Sequence, residues 1–517
     1  MRPAPLYRRF DSPLTPEGNS YLHAWAAKLL ADPLPGVLDI IPAYASLYLE
    51  YDADLLTARQ AEDWLDGHAP AAWNMIEQDM VEHGTAAGRE VRIPVLYDGE
   101  DLPSVAAATG LSVPEVIALH SGTPYRVYAQ GFVAGFPFLG EVAPALRLPR
   151  RASPRAQVPA HSVAMAASQT GVYPVASPGG WHLLGHALEA VYDPNRTEPF
   201  LLGPGDTVRF VPAAGPIPPP ISPLELLPAA PAHPLLQVER SGPLSLVQDA
   251  GRVLAGRFGL VRGGFASPQA AQIANRLLGN APDAPLLELH LGGPGCTVLT
   301  DCTLAVSGFG PQARLDGVPA LPWSSFRARA GQRLDFRAGG SGRVSYLAFA
   351  GGLDTARFRG SASTDLRGGI GRALRAGDVL GAAQASQSQP SQSQARQPLP
   401  GRRFGPVSRP GAAFRLLPIP GGDPQVLAAL CHSVWTAGDG DRMGPRLIGP
   451  ALPGGETLSE GSPVGTVQVP PGGQPIILLH DKGTLGGYSK PARVHPGDLW
   501  RLADLRAGER IRFGPEI

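Results

Sequence analysis

The stretch that decides the fold is SVAMAASQTGVYPVASPGGWHLLGHA, which occupies residues 162–187. Its apolar residues form short runs separated by glycine, proline and serine, a pattern typical of short strands joined by tight turns. Comparable runs lie on either side, RVYAQGF at 126–132 and DTVRFVP at 206–212. Short strands at this spacing predict a closed barrel or a sandwich in this part of the chain.

Helix signals are few and lie between the strand-like segments. Most are capping residues or prolines that precede a short run with helical periodicity. The helices expected from them run from Thr15 to near Leu30, over 57–66, over 70–83, from Ser112 to near Ser121, from Ser267-Pro268 to Gly279, from Asp423-Pro424 and from Asp498. We therefore predict a mostly β protein with isolated helices and an α+β N-terminal part.

The length of 517 residues suggests about three or four domains. Two segments are predicted to be linkers: the proline-rich residues 213–234 should run extended, and residues 382–411 open with a Ser/Gln stretch that we expect to be disordered. The units that we predict around them are 1–86 (a small α+β domain), 87–212 (a β-barrel), 235–381 (the first β domain of the second half) and 412–517 (its second β domain).

Charge and hydropathy exclude several classes of protein. Lys+Arg and Asp+Glu each number 44, so the chain has no net charge and no basic surplus for nucleic acid or anionic lipid. No apolar run reaches the 18 or so residues that a membrane helix needs. The N-terminal residues MRPAPLYRRFDSP show no apolar signal region, so we expect a cytoplasmic protein without nucleic-acid or membrane partners.

Metal ligation is not expected from this sequence. The three cysteines, Cys296, Cys302 and Cys431, form no CxxC pair. His182 and His186 have the spacing of a zincin pair, but Leu183 follows the first histidine where a glutamate base would stand. The neighbouring glycine and tryptophan favour a strand, on which the two histidines would lie about 13 Å apart.

The standard catalytic motifs are missing. The sequence contains no GxxxxGK[ST] phosphate loop, no GxGxxG opening a helix after a strand and no GxSxG nucleophile elbow. An ordinary P-loop is therefore excluded, and Rossmann-type nucleotide binding is disfavoured.

Two segments of the barrel region carry features that suit a binding site. GFVAGFPFLG at 131–140 interleaves phenylalanines with glycines, either as an aromatic core loop or as a wall that admits a ligand to the backbone. SQTGVYPVASPGGW at 168–181 places Gly179-Gly180 beside polar residues. The amides of this pair form either an anion-binding nest or an ordinary hairpin turn.

The last block gathers charged residues around two of the chain's three lysines, Lys482 and Lys490. They bracket Gly486-Gly487-Tyr488 in what we predict to be an exposed loop flanked by glycines. Two ammonium groups with Asp481 beside them suit a ligand that carries a carboxylate or a phosphate. The alternative is a solvated loop with a surface ion pair.

Long segments of the chain resemble the B and C subunits of 5-oxoprolinase, fused in one chain. These subunits are also called Kip-type or allophanate-hydrolase-like proteins, and they are related to the carboxyltransferase region of urea carboxylase. The segments similar to the B subunit are PLPGVLDIIPAYASLYLEYD, HSGTPYRVYAQGFVAGFPFLG and PRRASPRAQVPAHSVAMAASQTGVYPVASPGGW. Those similar to the C subunit include VERSGPLSLVQDAGR, ANRLLGN, LELHLGGP, DRMGPRLIGP, SEGSPVGTVQVPPGGQPIILLHD and GGYSK. The resemblance covers nearly the whole chain and implies several cyclophilin-like β-barrel domains.

The resemblance also implies ATP-dependent opening of 5-oxoproline to glutamate, together with a separate A subunit. ATP, expected with Mg²⁺, would phosphorylate the resonance-stabilised lactam at oxygen and so create a leaving group. Within the matching segments the candidate catalytic residues are Lys490, Asp481, Arg442 and Glu460. The candidate substrate- or nucleotide-binding residues are His120, Phe136, Arg155, Gln169, Thr170, Tyr173, Gly179, Gly180, Gln248, Asp249, Arg252, Asn275, Gln468, Gly486, Gly487 and Tyr488.

The chain departs from the family pattern at several of these loops. Ser267 stands where aspartate is usual, and residues 482–485 read Lys-Gly-Thr-Leu in place of Arg-Gln-Thr-Thr. His182 and His186 replace a glutamine and an arginine. The N-terminus lacks the usual Gly-Asp-Ser strand, so we expect the N-terminal sheet to be one strand short.

Two other functions are open at this point. One is carboxyl transfer from carboxybiotin to an amide-like acceptor, which would need biotin on a separate carrier because neither Lys482 nor Lys490 has a methionine neighbour. The other is non-enzymatic binding of a sensor histidine kinase, which leaves the fused second half without a role. A neighbouring gene for the A subunit would favour the oxoprolinase, and a homo-oligomer is compatible with each hypothesis.

Overall fold

The computed structural model describes residues 2–10, 15–70, 88–384, 400–405 and 407–515. The helix expected at 70–83 and the Ser/Gln-rich part of the second linker lie largely outside these ranges. Within the described chain, strands outnumber helices, and two sets of strands close into seven-stranded barrels. The prediction of a mostly β protein with barrel domains and an α+β N-terminal part is confirmed.

The N-terminal unit is a three-stranded antiparallel sheet with two helices packed against it. Its elements are β1 (Pro3–Arg9), α1 (Pro16–Ala31), β2 (Val37–Pro42), β3 (Ser46–Asp52) and α2 (Ala58–Gly67). The Thr15 side chain caps α1 by accepting a hydrogen bond from the Gly18 amide, as its position predicted. The expectation of a missing strand is wrong, because β1 pairs with β3 over its whole length.

The second unit is the first closed barrel. Its elements are β4 (Glu90–Leu96), α3 (Leu102–Thr109), α4 (Val113–Gly122), β5 (Tyr125–Gln130), β6 (Pro137–Gly140), β7 (Arg155–Val158), β8 (Ser162–Ala166), β9 (Gln169–Val172), β10 (Ser177–Gly179), β11 (His182–Ala187) and β12 (Thr207–Pro212). The barrel order is β11-β4-β12-β5-β6-β9-β8, while β7 and β10 pair separately. Helix α4 begins with the predicted capping box, in which Ser112 and Glu115 bond each other's backbone amides.

The third unit consists of two sheets that face each other across a shared apolar core. Its elements are β13 (Pro234–Arg240), β14 (Leu244–Gln248), α5 (Pro268–Leu278), β15 (Leu286–His290), β16 (Gly295–Val298), β17 (Cys302–Gly308), β18 (Gln312–Leu315), β19 (Val318–Pro319), β20 (Ser324–Ala328), β21 (Arg333–Arg337), β22 (Val344–Phe349) and β23 (Val379–Gly381). Helix α5 ends at Gly279 as predicted, but the Ser267 side chain does not cap it. Instead, the Ser267 amide donates to the Tyr346 hydroxyl.

The fourth unit is the second closed barrel. Its elements are β24 (Ala413–Pro418), α6 (Pro424–His432), β25 (Val434–Asp441), β26 (Gly444–Ile448), β27 (Glu456–Gly461), β28 (Thr466–Val469), β29 (Ile476–Ile477), β30 (Leu485–Val494), α7 (Leu499–Leu502) and β31 (Arg510–Pro515). Pairing of β24 with β30 closes the ring β24-β31-β25-β26-β29-β28-β30, and β27 attaches to β30 outside it. Asp423 caps α6 through the Gln425 amide.

Both connecting segments contact their neighbours where they are described. In the proline-rich segment, the Leu224 amide donates to the Gly369 carbonyl of the third unit, and Leu226 is buried. At the end of the second segment, the Phe404 amide donates to the Trp323 carbonyl. These contacts hold the third unit against the chain on both sides.

The four units share one apolar cluster. It contains Tyr48 of the N-terminal sheet, Phe136 of the first barrel, Leu260 of the third unit and Leu485 of the second barrel. Because side chains from all four units bury one another here, the polar groups around this cluster come from distant parts of the sequence.

The described helices are short. None of them is by itself long and apolar enough to cross a membrane. Helices α3 and α4 satisfy that criterion only as a pair, by length and composition, with a bend of 93° between them.

Candidate functional site

A narrow polar cavity lies next to the shared apolar cluster, where three of the four units meet. Its volume is about 20 Å³, room for about one water molecule, and its lining residues are Asp39, Ile41, Tyr48, Glu50, Arg262, Ser462, Val464, His480, Lys482 and Thr484. Strands β2 and β3 supply the first four, and the second barrel supplies the last five. The cavity is therefore complete only when both halves of the chain are folded together.

Lys482 is the cation of this cavity without a close counter-ion. Its ammonium donates only a long hydrogen bond, 3.5 Å, to the Gly483 carbonyl, and no carboxylate of the described residues lies within 4.0 Å of it. Burial lowers the pKa of Lys482, although Glu50 and Asp39 act across the cavity in the opposite direction. A partly buried ammonium without a close carboxylate is suited to an anionic ligand.

Glu50 and Arg262 form the paired charges of the cavity wall. The Arg262 guanidinium donates to Glu50 Oε2 at 3.1 Å, and the Tyr48 hydroxyl donates to Glu50 Oε1 at 3.1 Å. This carboxylate is thus held by groups from β3 and from the third unit. Its fixed position keeps a negative charge opposite Lys482.

Asp39 is a cavity acid whose pKa lies near neutral pH. Its Oδ1 accepts hydrogen bonds from the Gly256 and Ile40 amides at 3.1 and 3.0 Å. Burial, with a further contribution from Glu50, raises the pKa of Asp39 to about 7. A carboxyl group with this pKa can donate or accept a proton at physiological pH.

Three polar groups near the cavity lack hydrogen-bond partners in the described structure. They are the Ser462 and Thr484 hydroxyls and the Gln468 amide nitrogen, and all three atoms are buried. Buried polar atoms are normally satisfied, so these groups are available to hydrogen-bond a water molecule or a polar group of a ligand. Gln468 is one of the predicted binding residues, and its amide nitrogen lies against Gly486, where a Cβ would approach it to 2.4 Å.

Behind the cavity, Arg442 joins the predicted Asp481 to a buried acid of the third unit. Its guanidinium binds both Asp481 oxygens at 2.9 Å and also contacts Glu288. Burial opposes the charged form, yet Asp481 and Glu288 hold the pKa of Arg442 above its usual value. Burial lowers the pKa of the adjacent His480 to about 3, so this cavity-lining imidazole is neutral.

The predicted residues Gln248, Asp249 and Arg252 lie beside this network. The Gln248 side chain accepts from the Gly264 amide, whose carbonyl in turn accepts from Arg442. Asp249 is fully engaged, accepting hydrogen bonds from backbone and side-chain groups around residues 361–363. Arg252 is buried and donates to a backbone carbonyl, while its Nε and Nη1 have no partner among the described residues.

The prediction of an exposed loop around Lys490 is wrong. Gly486, Gly487, Tyr488 and Lys490 belong to strand β30, and only 4% of the Lys490 side chain is exposed. Its ammonium donates to the Gly486 carbonyl at 2.9 Å and to Glu460 at 3.3 Å. Arg9, from the opposite end of the chain, binds both oxygens of the same carboxylate.

The aromatic segment of the first barrel is mainly core. Phe136 is buried and packs edge-to-face against Tyr173, with ring centroids 5.1 Å apart. In the predicted glycine pair Gly179-Gly180, Gly179 lies against the Tyr173 hydroxyl, which a Cβ on Gly179 would approach to 2.3 Å. Gly180 accepts through its carbonyl from the Arg151 amide. The partly buried Phe132 at the start of the segment does reach the second barrel, because its carbonyl lies beside Gly483.

Several other predicted binding residues hold structural contacts away from the cavity. His120 is buried between Tyr97 and Thr170, and burial lowers its pKa to about 3. Arg155 binds both Asp101 oxygens at 2.9 Å. Two amides complete this set: Gln169 donates to the Tyr44 hydroxyl, and Asn275 donates to the Ala284 carbonyl.

The histidine pair lies on a strand, as expected. His182 and His186 are the first and fifth residues of β11 and bond Pro149 and Asp98, respectively. Within the ranges that the structure describes, no group of three or more His, Cys, Asp and Glu side chains is placed to hold a metal ion.

Sequence reasoning missed most of the cavity lining. Asp39, Glu50, Arg262 and Thr484 were not selected, although two of them carried a visible signal. Asp39 and Glu50 are acidic residues inside the otherwise apolar strands VLDIIP and SLYLEYD, both of which are buried throughout. Acidic side chains are rarely buried without a specific partner, so their position indicates a site.

Two family profiles match the chain. The profile described as carboxyltransferase domain, subdomain C and D, matches residues 4–202. The profile described as carboxyltransferase domain, subdomain A and B, matches residues 258–515. Both profiles contribute to the cavity, since Asp39 and Glu50 fall in the first and Arg262 and Lys482 in the second.

Curated relatives and a solved structure agree with these profiles. The chain is 38% identical over 213 residues to the 5-oxoprolinase B subunit of Bacillus subtilis, covering 39% of this chain and 87% of that protein. It is 36% identical over 289 residues to the 5-oxoprolinase C subunit of Escherichia coli, covering 54% and 90%. A crystal structure of the protein TTHA0988 superposes with a TM-score of 0.91 at 49% identity, covering 99% of this chain and 100% of that one. A putative urea carboxylase of Emericella nidulans is 30% identical over 304 residues, covering 54% of this chain and 24% of that protein.

Proposed function

Because the chain belongs to the carboxyltransferase-domain family and joins regions related to the B and C subunits of 5-oxoprolinase, we propose that it is the B and C component of a 5-oxoprolinase. In this role it would act with a separate A subunit to convert 5-oxoproline, ATP and water to glutamate, ADP and phosphate. The cavity around Lys482 is its proposed substrate site, and because its volume is about 20 Å³ it would have to widen to admit 5-oxoproline.

The observation that supports this site best is the partly buried Lys482 ammonium, which has no close carboxylate among the described residues. 5-Oxoproline carries one carboxylate and one lactam group. The carboxylate would pair with Lys482, while the unpartnered hydroxyls of Ser462 and Thr484 would bond polar atoms of the lactam. This arrangement would satisfy both the ammonium and the hydroxyls at once.

Asp39 is suited to the proton transfer that ring opening requires. Attack of water on the activated carbon gives a tetrahedral centre, and cleavage of its C–N bond requires a proton on the leaving nitrogen. With a pKa of about 7, Asp39 can supply this proton at neutral pH. Cleavage of the C–N bond would leave γ-glutamyl phosphate, and a second water would hydrolyse this acyl phosphate to glutamate and phosphate. ATP contributes the phosphoryl group that makes the lactam carbon electrophilic.

Turnover with a partner tests the proposal. The purified chain alone should form little or no glutamate from 5-oxoproline and ATP. Addition of the A subunit from Bacillus subtilis or Escherichia coli should give glutamate formation that depends on both substrates. Absence of turnover with several such partners would contradict the proposed function, and robust turnover by the chain alone would contradict the need for a partner.

Carboxyl transfer is the second candidate, and the carboxyltransferase profiles and the urea carboxylase relative favour it. In that case biotin would arrive on a separate carrier protein. The test is transfer of labelled carboxylate from free carboxybiotin to 5-oxoproline or urea in the absence of ATP. Labelled product that disappears in Lys482→Met would favour this reaction over the oxoprolinase.

A further inference from the structure

We propose that Arg257 and Arg359 form a binding site for phosphoryl oxyanions beside the Lys482 cavity, a proposal that rests on the oxoprolinase function above. Neither residue belongs to a recognised nucleotide motif. The ligand class is a phosphate group, borne by a nucleotide such as ATP or free as inorganic phosphate.

The two guanidinium groups both contact one aromatic ring. The guanidinium carbon of Arg257 lies 4.6 Å from the ring centroid of Phe258, and that of Arg359 lies 4.8 Å from the same centroid. Phe258 in turn stacks on Phe200 at 4.8 Å, with 14° between the rings. The aromatic stack therefore contacts both positive groups, and Arg359 is near enough to Arg257 to lower its pKa.

Neither guanidinium is neutralised within the described structure. No carboxylate there lies within 4.0 Å of Arg257 or Arg359, and neither side chain donates a hydrogen bond to another described residue. The Nε of Arg257 is buried without a partner. Adjacent arginine side chains with free N–H groups match the geometry with which guanidinium binds phosphate oxygens.

An anion bound here would offset the repulsion between the two arginines. Burial and the neighbouring Arg359 both lower the pKa of Arg257, while Asp39 acts in the opposite direction, and Arg359 itself is exposed. Arg359 also has a backbone φ of 49°, in the left-handed region that a side chain other than glycine rarely adopts. Strained backbone of this kind is frequently found at ligand sites.

The arginine pair is connected to the cavity through the turn that carries Arg257. Arg257 lies in the 3₁₀ turn Gly256–Phe258, and the Gly256 amide donates to Asp39 inside the cavity. The turn is fixed against the first barrel, because the Gly135 amide donates to the Phe258 carbonyl at 2.8 Å. A phosphate bound to the pair would thus lie next to the site in which the lactam oxygen is to be phosphorylated.

The test is calorimetric titration of the full chain with inorganic phosphate, ATP and adenosine. We expect phosphate and ATP to bind and adenosine not to bind. Arg257→Gln and Arg359→Gly should each weaken binding at least tenfold, and glycine suits the left-handed backbone at 359, so that variant should fold. Arg276→Ala is the matched control, since Arg276 is exposed in the third unit, lines a different groove and makes no ion pair in the described chain.

The outcomes separate this inference from the proposed function. Much tighter binding of ATP than of phosphate identifies a nucleotide site, and equal binding identifies a site for the phosphate group alone. Absence of binding, or equal binding by both variants and the control, overturns the inference even if turnover with the A subunit is intact. Arginine-dependent phosphate binding in a chain that forms no glutamate with that partner supports the inference and contradicts the oxoprolinase.

Discussion

Replacement of Lys482 by methionine should abolish most of the activity without harm to the fold. Methionine keeps the length of the side chain and removes only the ammonium. A hydrogen bond to a charged group contributes about 1.5–3 kcal/mol, and each 1.4 kcal/mol is a factor of ten, so kcat/KM for 5-oxoproline should fall about ten- to 150-fold.

Lys482→Met should not lower the stability of the protein, whereas removal of a lysine that stabilises the fold would. Burial lowers the pKa of Lys482, which means that the folded protein disfavours the charged ammonium relative to the unfolded chain. This cost is fully present below the folded pKa and disappears as the pH rises above it. Lys482→Met removes the cost at neutral pH, so its melting temperature should equal or exceed that of the parent protein.

The other two lysines are natural controls. Lys28 is exposed on α1, and Lys28→Met should change neither activity nor melting temperature. Lys490→Met removes buried hydrogen bonds to Gly486 and Glu460 and should lower stability by about 1–3 kcal/mol. Glutamate formation with the A subunit and thermal melting are measured on each preparation. Unchanged kcat/KM in Lys482→Met, or a loss of activity that only follows a lower melting temperature, would refute the assignment of the cavity.

Two further variants test the groups around Lys482. Asp39→Asn should remove the limb of the pH–activity profile near pH 7. The raised pKa of Asp39 means that the folded protein disfavours its ionised form, so the stability of the parent should fall as the pH rises from about 4 to 7. The variant should not show this fall in stability. A pH profile with the same limb would exclude Asp39 as the titrating group. Arg442→Met leaves Glu288 and Asp481 buried without their cation and should cost about 3–5 kcal/mol, seen as a lower melting temperature, and a parent-like melting temperature would contradict this account of the network.

Local signals in the sequence predicted most of the elements correctly. The cap at Thr15, the capping box of Ser112 and Glu115 and the glycine stop at Gly279 each place a helix end within a residue or two of the structure. These signals work because the hydrogen bonds that end a helix come from residues adjacent in the chain. Ser267 shows the limit: its position is that of a cap, but its amide is taken by Tyr346, which is distant in sequence.

The segment around Lys490 was misjudged for a similar reason. Two glycines beside a tyrosine and a lysine look like a loop when the sequence is considered locally. The structure forms a ten-residue strand, β30, which pairs with β24, β27 and β28 and so closes the second barrel. Burial of Lys490 then depends on Glu460 and Arg9, and the local sequence contains no information about their approach.

The cavity itself combines a local signal with a contact that is not local. Asp39 and Glu50 break the apolar pattern of β2 and β3, and such a break inside a buried strand is visible in the sequence alone. What the sequence does not reveal is that these acids face Lys482, more than four hundred residues later, across the boundary between the two halves. If the acids served only the N-terminal sheet, all their partners would lie within it. Besides Tyr48 and the Ile40 amide in that sheet, Glu50 binds Arg262 and Asp39 binds the Gly256 amide, both from the second half. One contact of each acid therefore requires the second half, which argues that joining the halves in one chain serves the site as well as the fold.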